Sequence, residues 1–289
     1  MNNAIEAMLS RYNPTNNYER EGAIKEILQE IALAGLSRGG FFEKAAFYGG
    51  TCLRIFHGLN RWSEDLDFAL LSKDPNFKID DYFSSLEREF KSYGIDINIE
   101  TKKIDNDAPV QSAFLKGNTM TLMMSFFPRS EDAKRVVSNQ KTKIKLEIDV
   151  DNPSGGVTEF KYRMIPAPYE VQIFDEPTLF AGKIHAIICR DYKHHVKGRD
   201  YYDYLFYLCK GSKFNLNYLE SKLKNSGGKI GKDEVLTLER VKELLKERFE
   251  ALDYESAKQD VSRFISDQES LKFWKKELFL STLSELKGN

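Results

Sequence analysis

The segment KTKIKLEIDVD, residues 141–151, alternates apolar and polar side chains more regularly than the rest of the sequence. In an extended chain, apolar residues would face one side and charged residues the other: Ile144, Leu146, Ile148 and Val150 against Lys145, Glu147 and Asp149. A period of two residues is typical of a β-strand with one buried face. The chain is therefore expected to contain a sheet with this strand in it.

The remaining segments predict a chain that combines strands with helices. Apolar residues at helical spacing predict helices over residues 18–38, 50–58 and 79–93. Alternating or continuous apolar residues predict strands within residues 63–71, 95–104 and 121–128. From Pro177 onward the pattern is helical, and the aromatic run YYDYLFYL is expected to pack these helices together. An α/β part up to about residue 175 is thus followed by a helical part.

Composition excludes several classes of protein. The net charge is −1, which argues against a protein that coats nucleic acid through bulk charge. The three cysteines are odd in number and form no Cys-x-x-Cys pair, so neither a disulfide framework nor a thiolate zinc site is supported. The N-terminus lacks an apolar leader, and no run approaches the roughly 20 apolar residues of a membrane span. A cytoplasmic protein with no membrane partner is expected.

Asp65 and Asp67 lie within an apolar run and, by strand alternation, on one face. Two neighbouring carboxylates repel each other unless they are solvated or share a cation. Mg²⁺ usually takes one or two carboxylates together with substrate phosphates, and Mn²⁺ suits the same oxygen ligands. Asp-x-Asp therefore makes a metal site one interpretation and a pair of ordinary surface acids the other.

Three further features favour the metal interpretation. Gly49, Gly50 and Thr51 open a predicted helix, where backbone N–H groups and a hydroxyl can bind phosphate. Either Glu147 or Asp149 can supply a third acid from another strand, as a two-metal site requires. The third feature is cationic, because three basic residues can offset the charge of a triphosphate: Arg54, Arg61 and Lys183.

These residues resemble the first motif of the polymerase-β-type nucleotidyltransferases, in the form found in the AbiEii/AbiGii abortive-infection, type IV toxin family. In that form Gly-Gly-Thr-x-Leu-Arg is followed by Arg-x-Ser-x-Asp-Leu-Asp-Phe, and residues 49–54 and 61–68 match both parts. A second signature, a helical Lys followed by Arg-Asp-x-Tyr-Asp, is similar to Lys183 and residues 199–203. The resemblance covers about residues 20–210. One position departs from it, because Gly182 stands where family members often carry an acid.

The resemblance implies metal and nucleotide ligands in the first half of the chain. Asp65 and Asp67 would bind Mg²⁺ or Mn²⁺, with Glu147 preferred as the third acid and Asp149 as the alternative. The glycine turn would hold the β- and γ-phosphates. The nucleotide-binding set is Gly49, Gly50, Thr51, Arg54, Arg61, Ser63 and Lys183.

In the second half, the resemblance implies that Lys183 contacts phosphate and that Asp200 is the acid of the last motif. Asp203 is a further candidate, which would instead order its helix or hold Arg199. The sequence does not separate Asp200 from Asp203. The basic segment RDYKHHVKGR, residues 190–199, is expected to be either a solvated turn or a surface that contacts RNA.

The implied protein is an enzyme that transfers a nucleoside monophosphate from a nucleoside triphosphate to an acceptor hydroxyl. The expected acceptor is tRNA or another RNA, and the expected context is a toxin–antitoxin or phage-defence system with an antitoxin partner. The implied fold is α+β. A polymerase-β-like nucleotidyltransferase domain with a mixed sheet, residues 1–175, would precede a helical domain, residues 176–289, that completes the active site.

Two other classes of protein remain open. A glycosyltransferase can also use Asp-x-Asp, but the segment before Asp65 is short and mostly helical for such an enzyme. A catalytically idle protein of the same fold would bind nucleotide or a partner without chemistry. The presence of every expected acid argues against it. The residues alone identify neither the preferred nucleotide nor the acceptor, and RNA is expected only from the resemblance.

Overall fold

A computed structural model of the chain describes residues 3–101, 110–118, 122, 126, 141–191, 196–226 and 228–289. The α-helices within these residues are α1 Asn3–Leu9, α2 Asn17–Arg38, α3 Gly49–His57, α4 Phe83–Ser92, α5 Glu176–Cys189, α6 Gly198–Cys209, α7 Leu216–Asn225, α8 Leu238–Glu250, α9 Tyr254–Ser262 and α10 Lys276–Ser281. The strands are β1 Ala45–Tyr48, β2 Leu66–Leu70, β3 Asn98–Thr101, β4 Val110–Asn118, β5 Lys141–Asp149, β6 Thr158–Arg163, β7 Tyr169–Phe174, β8 Lys213–Phe214 and β9 Lys287–Gly288.

Seven of these strands form one mixed sheet in the order β3-β4-β5-β2-β1-β7-β6. β2 pairs with β5, and β1 with β7, in parallel, whereas β1 and β2 are antiparallel. β4 is antiparallel to both β3 and β5. The predicted α+β fold with a mixed sheet is therefore confirmed. β8 and β9 form a separate two-stranded sheet.

The alternation that predicts β5 is confirmed along the strand. Ile144, Leu146 and Ile148 are buried, while Lys141 and Lys143 are exposed. The buried face of β5 contributes to the sheet core because these side chains remove apolar surface from water. The charged residues of β5 lie on the opposite, more accessible face. Glu147 and Asp149 therefore remain candidates for the third acid.

The other strand predictions have mixed outcomes. The strand predicted over residues 63–71 is shorter, and β2 begins at Leu66. Of residues 121–128, the structure describes Leu122 and Phe126, and both are helical, so the strand prediction is wrong at these positions. Two buried apolar residues four apart fit one turn of a helix as well as they fit a strand. The rest of that segment lies outside the described residues.

Helix α2 holds the chain segment that leads to β2. The Asn16 side chain accepts a hydrogen bond from the Glu19 N–H at 2.9 Å and caps the helix. Further along, the Gln29 side-chain amide donates to the Ser63 carbonyl at 3.1 Å. Lys25 forms an ion pair with Glu64 at 2.7 Å. Two consecutive residues just before Asp65 are thus fixed by one helix.

Helices α5 and α6 pack through aromatic side chains, as the sequence predicts. Tyr201, Tyr204 and Tyr207 recur every third residue of α6 and are fully buried. The Phe180 ring of α5 stacks on Tyr207 with 4.4 Å between the ring centroids. At the start of α6, a Cβ on Gly198 would lie 1.8 Å from the backbone oxygen of a residue in α9, so this position requires glycine.

The described chain divides into two compact units. The first comprises residues 1–52, 63–152 and 159–173, and the second comprises residues 53–62, 153–158 and 174–289. The sheet strands β1 to β5 belong to the first unit, and helices α5 to α10 belong to the second. A domain division after residue 175, with an active site completed by the helical part, stays a prediction.

Across the described ranges, no helix combines the length and the apolar character needed to cross a membrane.

Candidate active site

The turn from β1 into α3 is built around Gly49. Its backbone has φ +82°, a left-handed conformation that glycine adopts without steric cost. A Cβ at Gly49 would lie 2.2 Å from Oδ2 of Asp67, far inside van der Waals contact. Glycine is therefore required here twice, once for the turn and once for the approach of the Asp67 carboxylate.

The first turn of α3 carries the other residues of the predicted phosphate site. Gly50 is half-buried, so its backbone lies near the surface at the start of a helix, where N–H groups without helical partners can bind an anion. Thr51 is fully buried, and its hydroxyl donates to the backbone carbonyl of Asp65 at 2.5 Å. This bond fixes the helix to the segment before β2. The predicted donation from Thr51 to phosphate stays a prediction.

Asp65 and Asp67 are both half-buried at the start of β2. Asp65 directly precedes the strand, and Asp67 is its second residue. Asp67 lies opposite Tyr48 of β1 on one side and opposite Glu147 of β5 on the other. Residues directly opposite each other in a sheet share a face, so the Asp67 and Glu147 carboxylates project from the same surface.

The two candidates for the third acid differ in position. Glu147 is the register partner of Asp67, whereas Asp149 lies opposite Ala69, one strand repeat farther along. The geometry therefore favours Glu147 as the neighbour of Asp67. Lys145 lies on the same face of β5 and forms an ion pair with Glu147 at 2.5 Å. The assignment of either acid as a catalytic group stays a prediction.

The donor chemistry of this region suits a hard cation, because Asp65, Asp67 and Glu147 offer only carboxylate oxygens. Their arrangement does not yet form a full ligand set. Among the described residues, no group of three or more His, Cys, Asp or Glu side chains has metal-binding spacing. The ion pair from Lys145 accounts for one carboxylate, Glu147. Binding of a metal ion by Asp65 and Asp67 stays a prediction, and binding by Glu147 would require Lys145 to move.

The second unit holds a compact set of ions that we call the charged cluster, made of Arg61, Lys183, Arg190, Asp200 and Asp203. Nε and one terminal nitrogen of Arg61 donate to the two carboxylate oxygens of Asp203, each at 2.7 Å. The other terminal nitrogen donates to the carbonyl of Trp62 at 3.0 Å. All three nitrogens of this buried guanidinium are thus engaged within the unit.

Lys183 is held between two carboxylates of α6. Its ammonium lies 2.9 Å from Asp200 and 2.8 Å from Asp203. Asp200 also pairs with Arg190. Asp200 and Asp203 are three residues apart in a helix and so face the same side, which lets both reach one lysine. The helix that carries Lys183, α5, is capped by the Asp175 side chain, which accepts from the Thr178 N–H at 2.9 Å.

These pairs keep buried carboxylates ionised. Burial raises the pKa of Asp200, but Lys183 and Arg190 outweigh it, and the net pKa falls to about 2. For Asp203 burial also raises the pKa, while Arg61 and then Lys183 lower it below its usual value. Burial disfavours the charged form of Arg61, but Asp203 raises its pKa above the ordinary value.

The remaining sequence candidates have other contacts. The Arg54 guanidinium lies 4.0 Å from the centre of the Trp62 ring. Arg199 forms an ion pair with Asp260 at 3.5 Å and lies over the Phe264 ring. The expectation that Asp203 holds Arg199 is therefore wrong, because Asp203 is paired within the charged cluster.

The structure groups the predicted site residues by unit. The first unit holds Gly49, Gly50, Thr51, Ser63, Asp65, Asp67, Glu147 and Asp149. The second holds Arg54, Arg61, Lys183, Arg199, Asp200 and Asp203. Of the basic segment 190–199, residues 192–195 lie outside the described residues, so its predicted contact with RNA stays a prediction.

Two features of these groups were not predicted from the sequence. One is the pairing of Lys145 with Glu147, although alternation already places both on one face of β5. The other is the pairing of Arg61 with Asp203 across 142 positions of the chain, for which no local signal exists. The predicted contact of Arg61 with nucleotide stays a prediction, and the engagement of its three nitrogens favours a role in positioning Asp203.

A mixed sheet with carboxylates on neighbouring strands, packed against a glycine turn that opens a helix, is the arrangement expected of a polymerase-β-type nucleotidyltransferase. The chain matches the family model described as nucleotidyl transferase AbiEii toxin, type IV toxin–antitoxin system, over residues 31–279. It therefore belongs to the AbiEii nucleotidyltransferase toxin family. This family description implies a nucleotide substrate and an antitoxin partner.

Two solved structures from Helicobacter pylori are similar to the chain. One is JHP933, with 18% sequence identity and a TM-score of 0.49, covering 92% of this chain and 94% of that one. The other is a candidate nucleotidyltransferase, with 19% identity and a TM-score of 0.48, covering 94% of this chain and 97% of that one. A comparison with curated proteins gives no significant match.

Proposed function

We propose that the protein transfers a nucleoside monophosphate from a nucleoside triphosphate to a hydroxyl group of an RNA, with tRNA as the expected acceptor. The observation that carries this proposal is the pairing of Asp67 with Glu147 on neighbouring parallel strands. Gly49 supports it, because its missing side chain lets the Asp67 carboxylate approach the start of a helix. Membership of the AbiEii family is consistent with this chemistry.

Asp65 and Asp67 are the residues that would hold Mg²⁺ or Mn²⁺. When bound, such an ion would neutralise phosphate charge and make the acceptor hydroxyl more acidic. The first backbone N–H groups of α3, near Gly50, would bind the β- and γ-phosphates, since the helix N-terminus favours anions. Thr51 would keep this helix in register with Asp65 through its hydrogen bond.

The transfer is a single displacement at the α-phosphorus, and its atoms and charges balance. The acceptor oxygen forms a bond to the α-phosphorus, the bond from that phosphorus to the bridging oxygen breaks, and pyrophosphate leaves. The hydroxyl proton is released in this step, and Glu147 is the candidate to accept it because it lies beside Asp67. Lys183 and Asp200 are assigned to the same reaction by the resemblance alone, and their parts in it stay predictions.

In a cell the proposed reaction would make the protein toxic, since a modified tRNA no longer serves translation. The antitoxin implied by the family would relieve this toxicity. Growth on expression of the wild type and of an Asp67→Asn variant tests the link. The wild type should arrest growth and the variant should not, if toxicity depends on transfer.

The direct experiment incubates the protein with total RNA, a divalent metal and each labelled nucleoside triphosphate in turn. The wild type should label an RNA species with at least one nucleotide. Asp65→Asn and Asp67→Asn should each reduce the rate about 10³-fold, as expected for loss of several kcal/mol of transition-state stabilisation. Sequencing of the labelled species would identify the acceptor and the added nucleotide.

The matched control is Asp151→Asn, which also removes one carboxylate from the first unit, at a side chain that is 63% exposed. This variant should retain the wild-type rate. If the folded wild type labels no RNA with any of the four nucleotides, transfer to RNA is refuted. Binding of nucleotide without any transfer would then identify the protein as an idle member of the fold.

A further inference from the structure

A cleft of about 380 Å³ lies within the first unit, and Asp65 of the predicted metal pair is part of its lining. It is formed by the start of α2, the residues before β2, the first half of β5 and one residue of β4. Four of its lining side chains are lysines and three are carboxylates. The lining residues are Glu21, Lys25, Glu64, Asp65, Phe114, Lys141, Thr142, Lys143 and Lys145.

Three of these lysines form a row along one strand. Lys141, Lys143 and Lys145 alternate with buried residues of β5 and so project from one face, at a repeat of about 6.6 Å. The same face continues directly to Glu147, the neighbour of Asp67. The row therefore begins with positive charge at the start of β5 and ends at Lys145, two residues before Glu147.

Lys141 and Lys143, which we call the outer lysines, differ from the other two lysines of the lining in their ion pairs. Lys25 is paired with Glu64, and Lys145 with Glu147. Within the described ranges, neither Lys141 nor Lys143 forms an ion pair. Because Glu21 and Asp65 also line the cleft, its four lysines and three carboxylates leave a net charge of +1. A positive net charge at a cleft attracts anions, because clefts concentrate the field of the charges that line them.

Lys141 and Lys143 also contribute to the electrostatics of Glu100 in β3. A hydrogen bond from Lys116 lowers the pKa of the Glu100 carboxyl first, and Lys141 and Lys143 lower it further. The outer lysines thus act over a distance on a neighbouring carboxylate. An anion in the cleft would be attracted by the same ammonium groups, because both lysines line it.

An aromatic ring completes the lining. Phe114 of β4 lies opposite Lys145 of β5, on the same face of the sheet, and is half-buried. Grooves that bind single-stranded nucleic acid combine cations along the backbone with aromatic rings on which bases stack. The cleft presents both features within one compact unit.

We infer that this cleft binds the single-stranded end of the acceptor RNA, with Lys141 and Lys143 on its phosphates and Phe114 against a base. This inference rests on the proposed function, because it assigns the cleft to the acceptor of that reaction. The row of lysines then directs the terminal hydroxyl towards Glu147. The nucleoside triphosphate has its own predicted site at the turn of Gly49, which is not part of the cleft lining.

The test uses the full chain carrying Lys141→Glu and Lys143→Glu together. Binding of a fluorescent single-stranded RNA of about ten nucleotides is measured by anisotropy at several salt concentrations. We expect at least a tenfold loss of affinity relative to wild type. The slope of log affinity against log salt should fall by about 1.4, since each phosphate contact on a single strand contributes about 0.7.

The matched control is the double variant Lys78→Glu and Lys91→Glu, two exposed lysines of the same unit outside the cleft lining. It has the same change in net charge and should bind RNA as the wild type does. Lys141→Gln with Lys143→Gln provides a milder second variant, for which the salt slope should fall by the same amount. Circular dichroism verifies that all variants are folded.

Kinetics separate the cleft from the proposed function. In the transfer assay the Lys141→Glu, Lys143→Glu variant should raise the KM for RNA at least tenfold and leave the KM for the nucleotide unchanged. A raised KM for nucleotide with unchanged RNA binding would overturn the inference and make the cleft a triphosphate site. RNA affinity equal to that of the control variant would also overturn it, as would capture of an acidic protein instead of RNA.

The two failures are distinguishable. A wild type that binds RNA through these lysines but transfers no nucleotide refutes the proposed function and keeps the cleft as an RNA site. A wild type that transfers nucleotide to RNA, with an unchanged KM for RNA in the variant, keeps the function and refutes the cleft.

Discussion

Asp67 in the first unit and Asp203 in the second are both aspartates of a predicted site, yet their surroundings differ sharply. Asp67 is half-buried at the surface of a sheet, beside another carboxylate on the next strand. Asp203 is fully buried and accepts hydrogen bonds from both Arg61 and Lys183. A buried carboxylate between two cations already has its charge balanced, whereas a half-buried carboxylate at the surface of a sheet remains accessible to water and to ions.

This difference distinguishes accessible carboxylates from buried carboxylates that are already paired. The sheet acids are accessible to a bound ligand, as the proposed function requires, whereas Asp200 and Asp203 of the charged cluster are buried and paired with Lys183. Asp67 and Asp203 both match the family motifs, yet loss of the carboxylate charge should have different effects on stability at the two positions. Substitutions that remove one charge from each region provide the most direct way to break the comparison.

The largest effect on stability is expected for Asp203→Asn. Loss of this charge leaves Arg61 buried without its bidentate partner, and breaking a buried ion pair typically costs about 3–5 kcal/mol. The free energy of unfolding from urea titration measures it. Asp67→Asn serves as the matched control and should change that free energy by less than about 1 kcal/mol, because its site is accessible to water. Equal destabilisation by the two variants would contradict the distinction between the regions.

The next largest effect is expected for Gly49→Ala, which tests whether the position of the Asp67 carboxylate requires glycine at residue 49. A side chain at φ +82° is strained by about 1–3 kcal/mol, and the new Cβ would also displace Asp67. We expect loss of stability together with loss of nucleotide transfer, measured by urea unfolding and by the labelling assay.

Gly58→Ala is the matched control for this variant. Gly58 has φ +79°, almost the same conformation, but nothing lies within 4 Å of the position that an added Cβ would occupy. The Gly58→Ala variant should lose only the stability that the strained backbone costs, and it should keep its transfer rate. If both variants keep the transfer rate, close packing of Asp67 on the glycine turn has no part in the reaction.

The outcome of the sequence predictions follows the same division between local and distant contacts. The face of β5 with Glu147, and the glycine turn before α3, follow from patterns within a few residues, and both are present. Strand β1 was not predicted, because the short buried segment Ala45–Tyr48 shows no alternation. The pairing of Arg61 with Asp203 joins residues 142 positions apart, and only the folded chain brings them together.

A smaller effect, dependent on pH, is expected at Asp200. Its pKa is about 2 in the folded protein and 3.8 for an ordinary aspartate, so the unfolded chain binds a proton first as the pH falls. The stabilisation is therefore complete above about pH 4 and is lost as the pH falls towards 2. It amounts to about 2 kcal/mol, since one pKa unit corresponds to about 1.4 kcal/mol.

Urea unfolding of the wild type and of Asp200→Asn between pH 5 and pH 2 tests this expectation. The difference in unfolding free energy between the two proteins should shrink across that range, in the direction set by the lowered pKa. Asp151→Asn is the control, since its exposed ion pair with Lys73 is worth less than about 1 kcal/mol at any pH. A difference that stays constant for Asp200→Asn would show that its ion pairs do not lower its pKa.

The smallest effect is expected at Gly182, the residue before Lys183, and it contrasts with Gly49. An added Cβ at Gly182 meets nothing within 4 Å, and its position inside α5 is helical. Gly182→Ala should therefore stabilise the protein by about 0.5–1 kcal/mol, because glycine loses more conformational entropy in a helix than alanine does. Thermal unfolding measures the gain. A loss of stability would mean that Lys183 needs the conformational freedom that Gly182 gives its helix, in addition to its ion pairs with Asp200 and Asp203.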